Sequence, residues 1–280
     1  MKIHNLLKEG QKKLKNSIND SYQLDSEILM SKILHKKREF ILLNLEKEVD
    51  KQKSNIYKNL FNQRSQGKPI AYLLGKKDFW KHEFDVSKDV LIPRPDTELI
   101  IEKVLDLTKH KSKLNILDIG VGSGCILLSI LKEKPYFNGT GVDLSKKCLD
   151  ISKINALKLG IKNKVKFFKS DIDNFNYGKY DLIISNPPYI KKSDLKYLEN
   201  DVIGFEPVKA LDGGLDGLSE IRKVINRSSE LIRNKGKLVL EIAFDQKQKV
   251  KQLLINRGFY INGIFKDLAQ NDRCIVCTKI

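Results

Sequence analysis

An α/β fold, with a mostly parallel sheet covered on both faces by helices and a small helical domain before it, is predicted by three features of this 280-residue sequence. After Pro95, strand-like apolar runs alternate with helix-period segments. Residues 1–75 carry helix-period patterning alone, and the stretch from Gly75 to Pro93 mixes aromatic and charged residues in the manner of a β-hairpin. Strand–helix alternation implies a parallel sheet, because a strand reached through a crossover helix re-enters in the same direction.

In chain order, Ile28, Leu29, Ile33 and Leu34 stand at helical spacing, and residues 40–45 and 56–61 repeat the pattern, so 1–75 is expected to be a helical bundle. Residues 79–86, a polar turn and residues 89–92 are expected to make the hairpin, giving a linker over 76–93. Acidic Asp96 and Glu98 suit a helix N-terminus, and that helix is expected to run through Leu107. Strands are expected at 113–119, 138–143, 165–170, 180–185, 237–242 and 260–265, separated by helices at 125–133, 146–159, 219–233 and 246–256. Residues 273–279 follow too short a connection for a crossover and are expected to return antiparallel, closing a domain over 94–280.

Composition narrows the function classes. A chain of this length with 41% hydrophobic residues can bury a full core. No run of about 18 apolar residues occurs; the most apolar region, 114–131, is broken by Asn115, Asp118 and several glycines. No apolar signal core follows the early lysines, so a cytoplasmic protein without membrane association is the expectation. A net charge of +17 usually signals a polyanionic partner, but the signal is softer here. The excess is chiefly Lys, spread along the chain beside abundant Asn and Ile, and a solvated basic surface without a stable nucleic-acid partner is expected. Cys274 and Cys277 have metal-ligand spacing, but no second such pair or nearby His completes four ligands; two small buried residues in a strand and no metal are expected. A monomer is the default, since no exposed heptad stands out.

Three motifs carry chemistry. The first is the apolar strand ending at Ile119, followed by Gly120, Val121, Gly122, Ser123 and Gly124 before the helix opened by Cys125. Such glycines allow a sharp turn and close approach of a ligand. The spacing is GxGxG and not the GxGxxG of dinucleotide sites, and Asp118 just before it would repel a pyrophosphate but can hold the cationic amino group of an amino-acid moiety. The second is Asp143 at the end of the next strand, placed to accept hydrogen bonds from the two ribose hydroxyls of an adenosine, or else to cap the following helix, which Ser145 could also do. Asp171 and Ile172, ending the third strand, stand where adenine contacts fall, although Asp171 also reads as a turn residue.

The third motif, Asn186-Pro187-Pro188-Tyr189, is delivered at the C-terminal end of the strand 180–185. Two prolines fix φ and remove two donors, leaving a stiff loop that presents acceptors. The Asn186 side-chain oxygen and the Pro187 carbonyl can each accept one hydrogen of a planar NH2 group, and Tyr189 can stack on its face. An amide nitrogen is a poor nucleophile; accepting both hydrogens draws electron density onto it and aims it at the sulfonium methyl of S-adenosylmethionine, so orientation supplies most of the rate.

These motifs, with Gly67-Lys68-Pro69-Ile70-Ala71-Tyr72-Leu73-Leu74-Gly75, the segment Leu91 to Glu98, the loop Glu206 to Gly214, Lys266 to Ala269 and Asp272-Arg273, resemble in order and over nearly the whole chain the release-factor glutamine N5-methyltransferases. The resemblance implies a seven-stranded Rossmann-like methyltransferase domain, joined by a β-hairpin to a helical substrate-recognition domain. It implies S-adenosylmethionine as cofactor, held by Gly120 to Gly124, Asp143, Asp171, Ile172 and Asn186. It implies peptide chain release factors as substrates, the glutamine of their Gly-Gly-Gln tip being held by Asn186, Pro187, Pro188 and Tyr189. Pro93 to Glu98 would line the pocket mouth or simply start a helix, and Glu206 to Gly214 would cover the target peptide or make a Gly-Gly turn. Val121 departs from the Thr of many relatives, removing a hydroxyl but not the backbone. Competing readings are a ribosomal-protein glutamine methyltransferase, a DNA or RNA exocyclic-amine methyltransferase, and a catalytically dead binding module on a basic platform.

Overall fold

The computed structural model describes residues 1–17 and 21–280. Packing divides the chain into two units: Met1–Lys76 with Glu199–Phe205, and Lys77–Leu198 with Glu206–Ile280.

The first unit holds helices α1 (Ile3–Lys15), α2 (Tyr22–Leu34), α3 (Arg38–Leu43), α4 (Lys51–Ser65) and α5 (Ile70–Leu74). Its core gathers Ile3, Leu6 and Leu14 of α1, Leu29 and Met30 of α2, Ile41 of α3, and Tyr57 and Phe61 of α4. Each fully buried aliphatic or aromatic side chain contributes roughly 1.5–3 kcal/mol over exposure. Polar contacts also sit inside it: Arg64 Nε donates to Asp25 Oδ2 at 2.7 Å, and the Ser26 and Tyr57 hydroxyls meet at 2.6 Å. Asp50 caps α4 by accepting from the Lys53 amide at 2.8 Å.

The second unit opens on the hairpin β1 (Lys76–Phe79) and β2 (His82–Asp85), followed by a single 3-10 turn, Pro95–Thr97, that leads into α6 (Glu98–Leu107). Strand and helix then alternate through β3 (Asn115–Ile119), α7 (Cys125–Glu133), β4 (Asn138–Asp143), α8 (Lys146–Lys158), β5 (Val165–Lys169) and β6 (Tyr180–Ser185). After a short helix, α9 (Asn200–Ile203), which belongs to the first unit, come α10 (Ser219–Leu231), β7 (Ile232–Glu241), α11 (Lys247–Asn256), β8 (Phe259–Lys266) and β9 (Asp272–Lys279). The seven-stranded sheet has the order β5-β4-β3-β6-β7-β9-β8. Strands β3 to β7 pair in parallel, and β9 runs antiparallel to both β7 and β8.

Side chains alternate across this sheet as a period of two requires. Ile116, Leu182, Ile184, Val239 and Cys274 join α6 and α7 in one core, whereas Leu117, Ile183, Leu238, Leu240 and Cys277 join α10 and α11 in the other. The two β9 cysteines therefore point to opposite faces and cannot share a metal ion, and both are buried.

Two expected elements differ. The hairpin does not use residues 89–92: its turn is Trp80-Lys81, with Trp80 at φ +55°. A Trp in the left-handed region gives no turn signal in the sequence, and the apolar 89–92 run is instead buried at Val90 and Ile92, with the Ile92 amide donating to Glu206 Oε2 at 3.1 Å. Strand β7 begins at Ile232, before the polar Arg233 to Lys235, because a shift in register with β6 between Tyr180 and Leu182 accommodates those residues.

The order reverses at β3, with β4 and β5 to one side and β6 and β7 to the other. The C-terminal ends of β3, β4 and β6 thus flank the crevice in which sheets of this kind bind ligands.

Candidate active site

The turn after β3 has Gly120, Gly122 and Gly124 at φ +77°, +56° and +83°. At Gly124 a Cβ would also stand 2.8 Å from Leu128 Cδ1, so both conformation and space call for glycine. The turn is fastened from behind by α8: Ser152 Oγ donates to the Gly122 carbonyl and Asn155 Nδ2 to the Ser123 carbonyl, each at 2.8 Å. Asn155 also bonds the backbone of Asp85 in β2, accepting from its amide at 2.7 Å and donating to its carbonyl at 3.0 Å. The Val121 side chain is buried in the core, so only its backbone belongs to the turn, and a Thr there would bury a hydroxyl.

Asp143 ends β4 and ties it to the turn. Its Oδ2 accepts from the Gly122 amide at 3.0 Å and its Oδ1 from the Ser145 amide at 2.8 Å. A carboxylate has about four acceptor sites, so each oxygen keeps one for a further donor, a match for two adjacent hydroxyls. Burial pushes the Asp143 carboxyl above its usual range, and the two amides work in the opposite direction. Ser145 Oγ caps α8, accepting from the Cys148 amide at 3.3 Å, which leaves Asp143 free of that duty.

Asp118 lies one residue from the end of β3, 1% exposed, and neither carboxylate oxygen has a partner of hydrogen-bond geometry. Burial pushes it up to about 8, the Leu127 amide opposing and the Asp143 charge adding to the rise. A buried acid without a partner beside a glycine turn suits a cationic ligand group. Turn, diol acceptor and orphaned acid together fit an adenosyl ligand with an amino-acid tail. Asp171 and Ile172 stand at the end of β5, on the far side of Asp143. Asp171 Oδ1 accepts from the Asp173 amide at 3.0 Å and so starts a one-turn 3-10 helix, and Ile172 packs on the core beneath α10.

The end of β6 is joined to the end of β3 by Ser185 Oγ, which donates to the Ile119 carbonyl at 2.8 Å. Asn186 follows, and its Nδ2 donates to Thr97 Oγ1 at 3.1 Å. With Nδ2 engaged, Oδ1 is the half of the amide left for a ligand. Pro187 and Pro188 contribute no donors. Tyr189 turns its hydroxyl to Glu241 at the end of β7, donating to Oε1 at 3.3 Å, while its carbonyl accepts from Gln246 Nε2 at 3.0 Å.

The loop 206–214 lies against this corner. Ile190 donates to the Leu211 carbonyl at 3.1 Å, and Gly213 donates to the Ile190 carbonyl at 2.8 Å. Buried Glu206 accepts from Arg94 and from the Ile92 amide, tying the loop to the segment that carries Thr97. The segment Pro93 to Glu98 thus both starts α6 and reaches Asn186. The structure therefore places the glycine turn, Asp143 and the Asn186 to Tyr189 corner at the C-terminal ends of β3, β4 and β6, with Asp171 and Ile172 one strand farther out, after β5.

Sequence reasoning included Thr97 only within the Pro93 to Glu98 segment, and missed Ser152, Asn155, Glu241 and Gln246. For α8 a signal existed, since Ser152 and Asn155 occupy core-facing positions with Leu149 and Ala156, and a polar residue on a buried stripe is informative.

The chain matches known proteins over most of its length. Residues 5–75 match the family described as PrmC N-terminal domain, and residues 95–261 the one described as Methyltransferase small domain. The "Release factor glutamine methyltransferase" of Buchnera aphidicola subsp. Schizaphis graminum is 40% identical over 98% of both chains. Its namesake from Clostridium botulinum is 37% identical over 100% of both. Among solved structures, a methyltransferase from Pyrococcus furiosus superposes with a TM-score of 0.53 at 18% identity, over 78% of this chain and 98% of that one, a likeness of fold alone. With identity of this level from end to end, the chain belongs to the release factor glutamine methyltransferase family.

Proposed function

We propose that the protein transfers the methyl group of S-adenosylmethionine to the side-chain amide nitrogen, N5, of the glutamine in the Gly-Gly-Gln tip of peptide chain release factors. The observation that carries this reading is the Asn186–Thr97 bond, which commits Nδ2 and leaves Oδ1, with the Pro187 carbonyl, as a pair of acceptors for one NH2 group. The bound cofactor supplies an electrophilic methyl on a sulfonium sulfur. Asp143 takes the ribose hydroxyls, the turn Gly120 to Gly124 gives its backbone to the amino-acid portion, and Asp171 and Ile172 border the adenine. Asn186 and Pro187 draw electron density onto the amide nitrogen and hold it in line, and Pro188 and Tyr189 bound its flat face.

Residues 1–75 serve as the substrate-recognition domain and 76–93 as the linker to the methyltransferase domain, 94–280. Among the described residues no helix is long and apolar enough to cross a membrane. The enzyme works as a cytoplasmic monomer on a protein, without a stable nucleic-acid partner.

Incubating the protein with methyl-labelled cofactor and purified release factor, then mapping the label by mass spectrometry, tests this. Label is expected on the Gly-Gly-Gln glutamine. Label confined to a ribosomal protein or to nucleic acid would replace the reading with one of its rivals.

A further inference from the structure

The turn from Gly120 to Gly124 uses its backbone donors unevenly. Gly120 and Val121 both donate to the Val142 carbonyl, at 2.9 and 3.1 Å, Gly122 donates to Asp143 Oδ2 at 3.0 Å, and Gly124 donates to the Val121 carbonyl at 2.8 Å. The Ser123 amide is the one of the five that has no protein acceptor among the described residues. Ser123 is only 2% exposed, so this N–H is withdrawn from bulk solvent as well. Buried amides without an acceptor are rare, and one set in a ligand-binding turn is a donor available to the ligand.

The direction of that donor is set from α8. Across a planar trans peptide, the C=O of one residue and the N–H of the next point in opposite directions, and the Gly122–Ser123 peptide is trans. Fully buried Ser152 holds the Gly122 carbonyl toward α8 at 2.8 Å, so the Ser123 N–H points away from that helix. Asn155, one turn farther along α8, holds the Ser123 carbonyl at 2.8 Å and so fixes the other side of the same residue. The Asn155 amide is itself locked, because Oδ1 and Nδ2 bond the amide and carbonyl of Asp85 at 2.7 and 3.0 Å.

We propose that Ser152 and Asn155 are positioning residues that aim the Ser123 amide at the carboxylate of the amino-acid tail of S-adenosylmethionine. This rests on the cofactor reading of the turn. An amino-acid tail carries a cationic amino group, which the orphaned Asp118 carboxyl suits, and a carboxylate, which can only accept. The Ser123 amide is the donor that the turn has left for it. Were the 122–123 peptide to rotate, the Gly122 carbonyl oxygen would face the carboxylate instead. The two α8 side chains thus decide between attraction and repulsion at that point.

Calorimetric titration of wild type, Ser152→Ala and Asn155→Ala with S-adenosylmethionine and with its decarboxylated analogue tests the proposal. Wild type is expected to bind the analogue about tenfold more weakly or worse, the loss of one hydrogen bond to a charged acceptor. In both variants S-adenosylmethionine should lose about tenfold in affinity and the analogue no more than about twofold, so that the gap between the ligands closes. Val250→Ala, a truncation of a buried side chain in α11, is expected to lower stability while keeping the gap. If Asn155→Ala fails to fold, Ser152→Ala, which removes a single oxygen, decides the matter. Nitrogen-15 NMR reads the amide itself: the Ser123 proton should become protected from exchange with S-adenosylmethionine but not with the analogue, and less so in Ser152→Ala. Equal losses for the two ligands, or unchanged affinity for S-adenosylmethionine in Ser152→Ala, overturn the proposal. Wild-type protein that binds both ligands equally overturns the proposal alone, whereas binding of neither overturns the cofactor reading with it.

Discussion

Gly213 lies directly under Tyr189: a Cβ built at position 213 would stand 2.9 Å from both the Cα and the carbonyl carbon of Tyr189. Real Cβ atoms do not approach backbone so closely, and the Gly217 carbonyl oxygen would stand at 2.8 Å, so Gly213→Ala is expected to part the 206–214 loop from the Asn186 to Tyr189 corner. A shift of about 1 Å at a reacting group costs up to about a hundredfold in rate. Steady-state kinetics should show a ten- to hundredfold lower kcat, with calorimetric cofactor affinity close to wild type. A kcat within twofold of wild type would show that the corner does not need this support.

Asn186→Ala removes the oriented acceptor while leaving both prolines in place. Loss of one aligned hydrogen-bonding group of this kind lowers turnover by about 10²-fold or more. Single-turnover assays at saturating cofactor are expected to show that drop, with cofactor binding affected far less. An unchanged turnover number would dismiss the two-point hold on the amide.

Asp143→Ala deletes two acceptor sites and also frees the Gly122 amide that Oδ2 now holds at 3.0 Å. Hydrogen bonds to a charged acceptor contribute about 1.5–3 kcal/mol each, so cofactor affinity should fall by at least tenfold, and by about a hundredfold or more if both ribose bonds are lost. Titration calorimetry with S-adenosylmethionine reads this directly, and equal affinities would remove the ribose assignment.

The stability of the cofactor-free protein should depend on pH through Asp118. Its folded-state value of about 8 lies above the unfolded carboxylate value, which is about 4. Between these values the native state keeps a proton that the unfolded state has released, so the contribution is full below about pH 4 and is lost as pH rises toward 8. Asp118→Asn should abolish that slope. In urea denaturation the variant is expected to gain on wild type between pH 5 and pH 8, by an amount on the order of a few kcal/mol. Parallel pH curves would show that Asp118 is ionised in the folded protein.

The parts of the site that were legible in the sequence are those written in consecutive residues. The glycine turn announces itself because three positive-φ positions fall within five residues, and the Asn186 to Tyr189 corner because two prolines follow an apolar strand. The parallel sheet was legible in part for a similar reason, since a strand buried on both faces can be a short unbroken apolar run, as at Leu182 to Ile184. What stayed hidden are single polar residues whose meaning comes from a distant partner. Glu206 and the Ile92 amide are 114 residues apart, and Gln246 and Tyr189 are 57 apart; nothing local marks either residue as buried and bonded. The hairpin turn was hidden for a different reason, because Trp80 adopts a backbone conformation that its side chain type rarely takes.

The short stretch Glu199–Phe205 packs with the helices of the first seventy-six residues although it is encoded far downstream of them. A nascent chain emerging from the ribosome therefore cannot finish its first compact body before residue 205 has been made. At about 5–20 residues per second that is a wait of roughly 6 to 26 seconds after Lys76. The same interleaving means that no single cleavage yields two self-contained fragments: transplanting either body requires three junctions, at 76/77, 198/199 and 205/206.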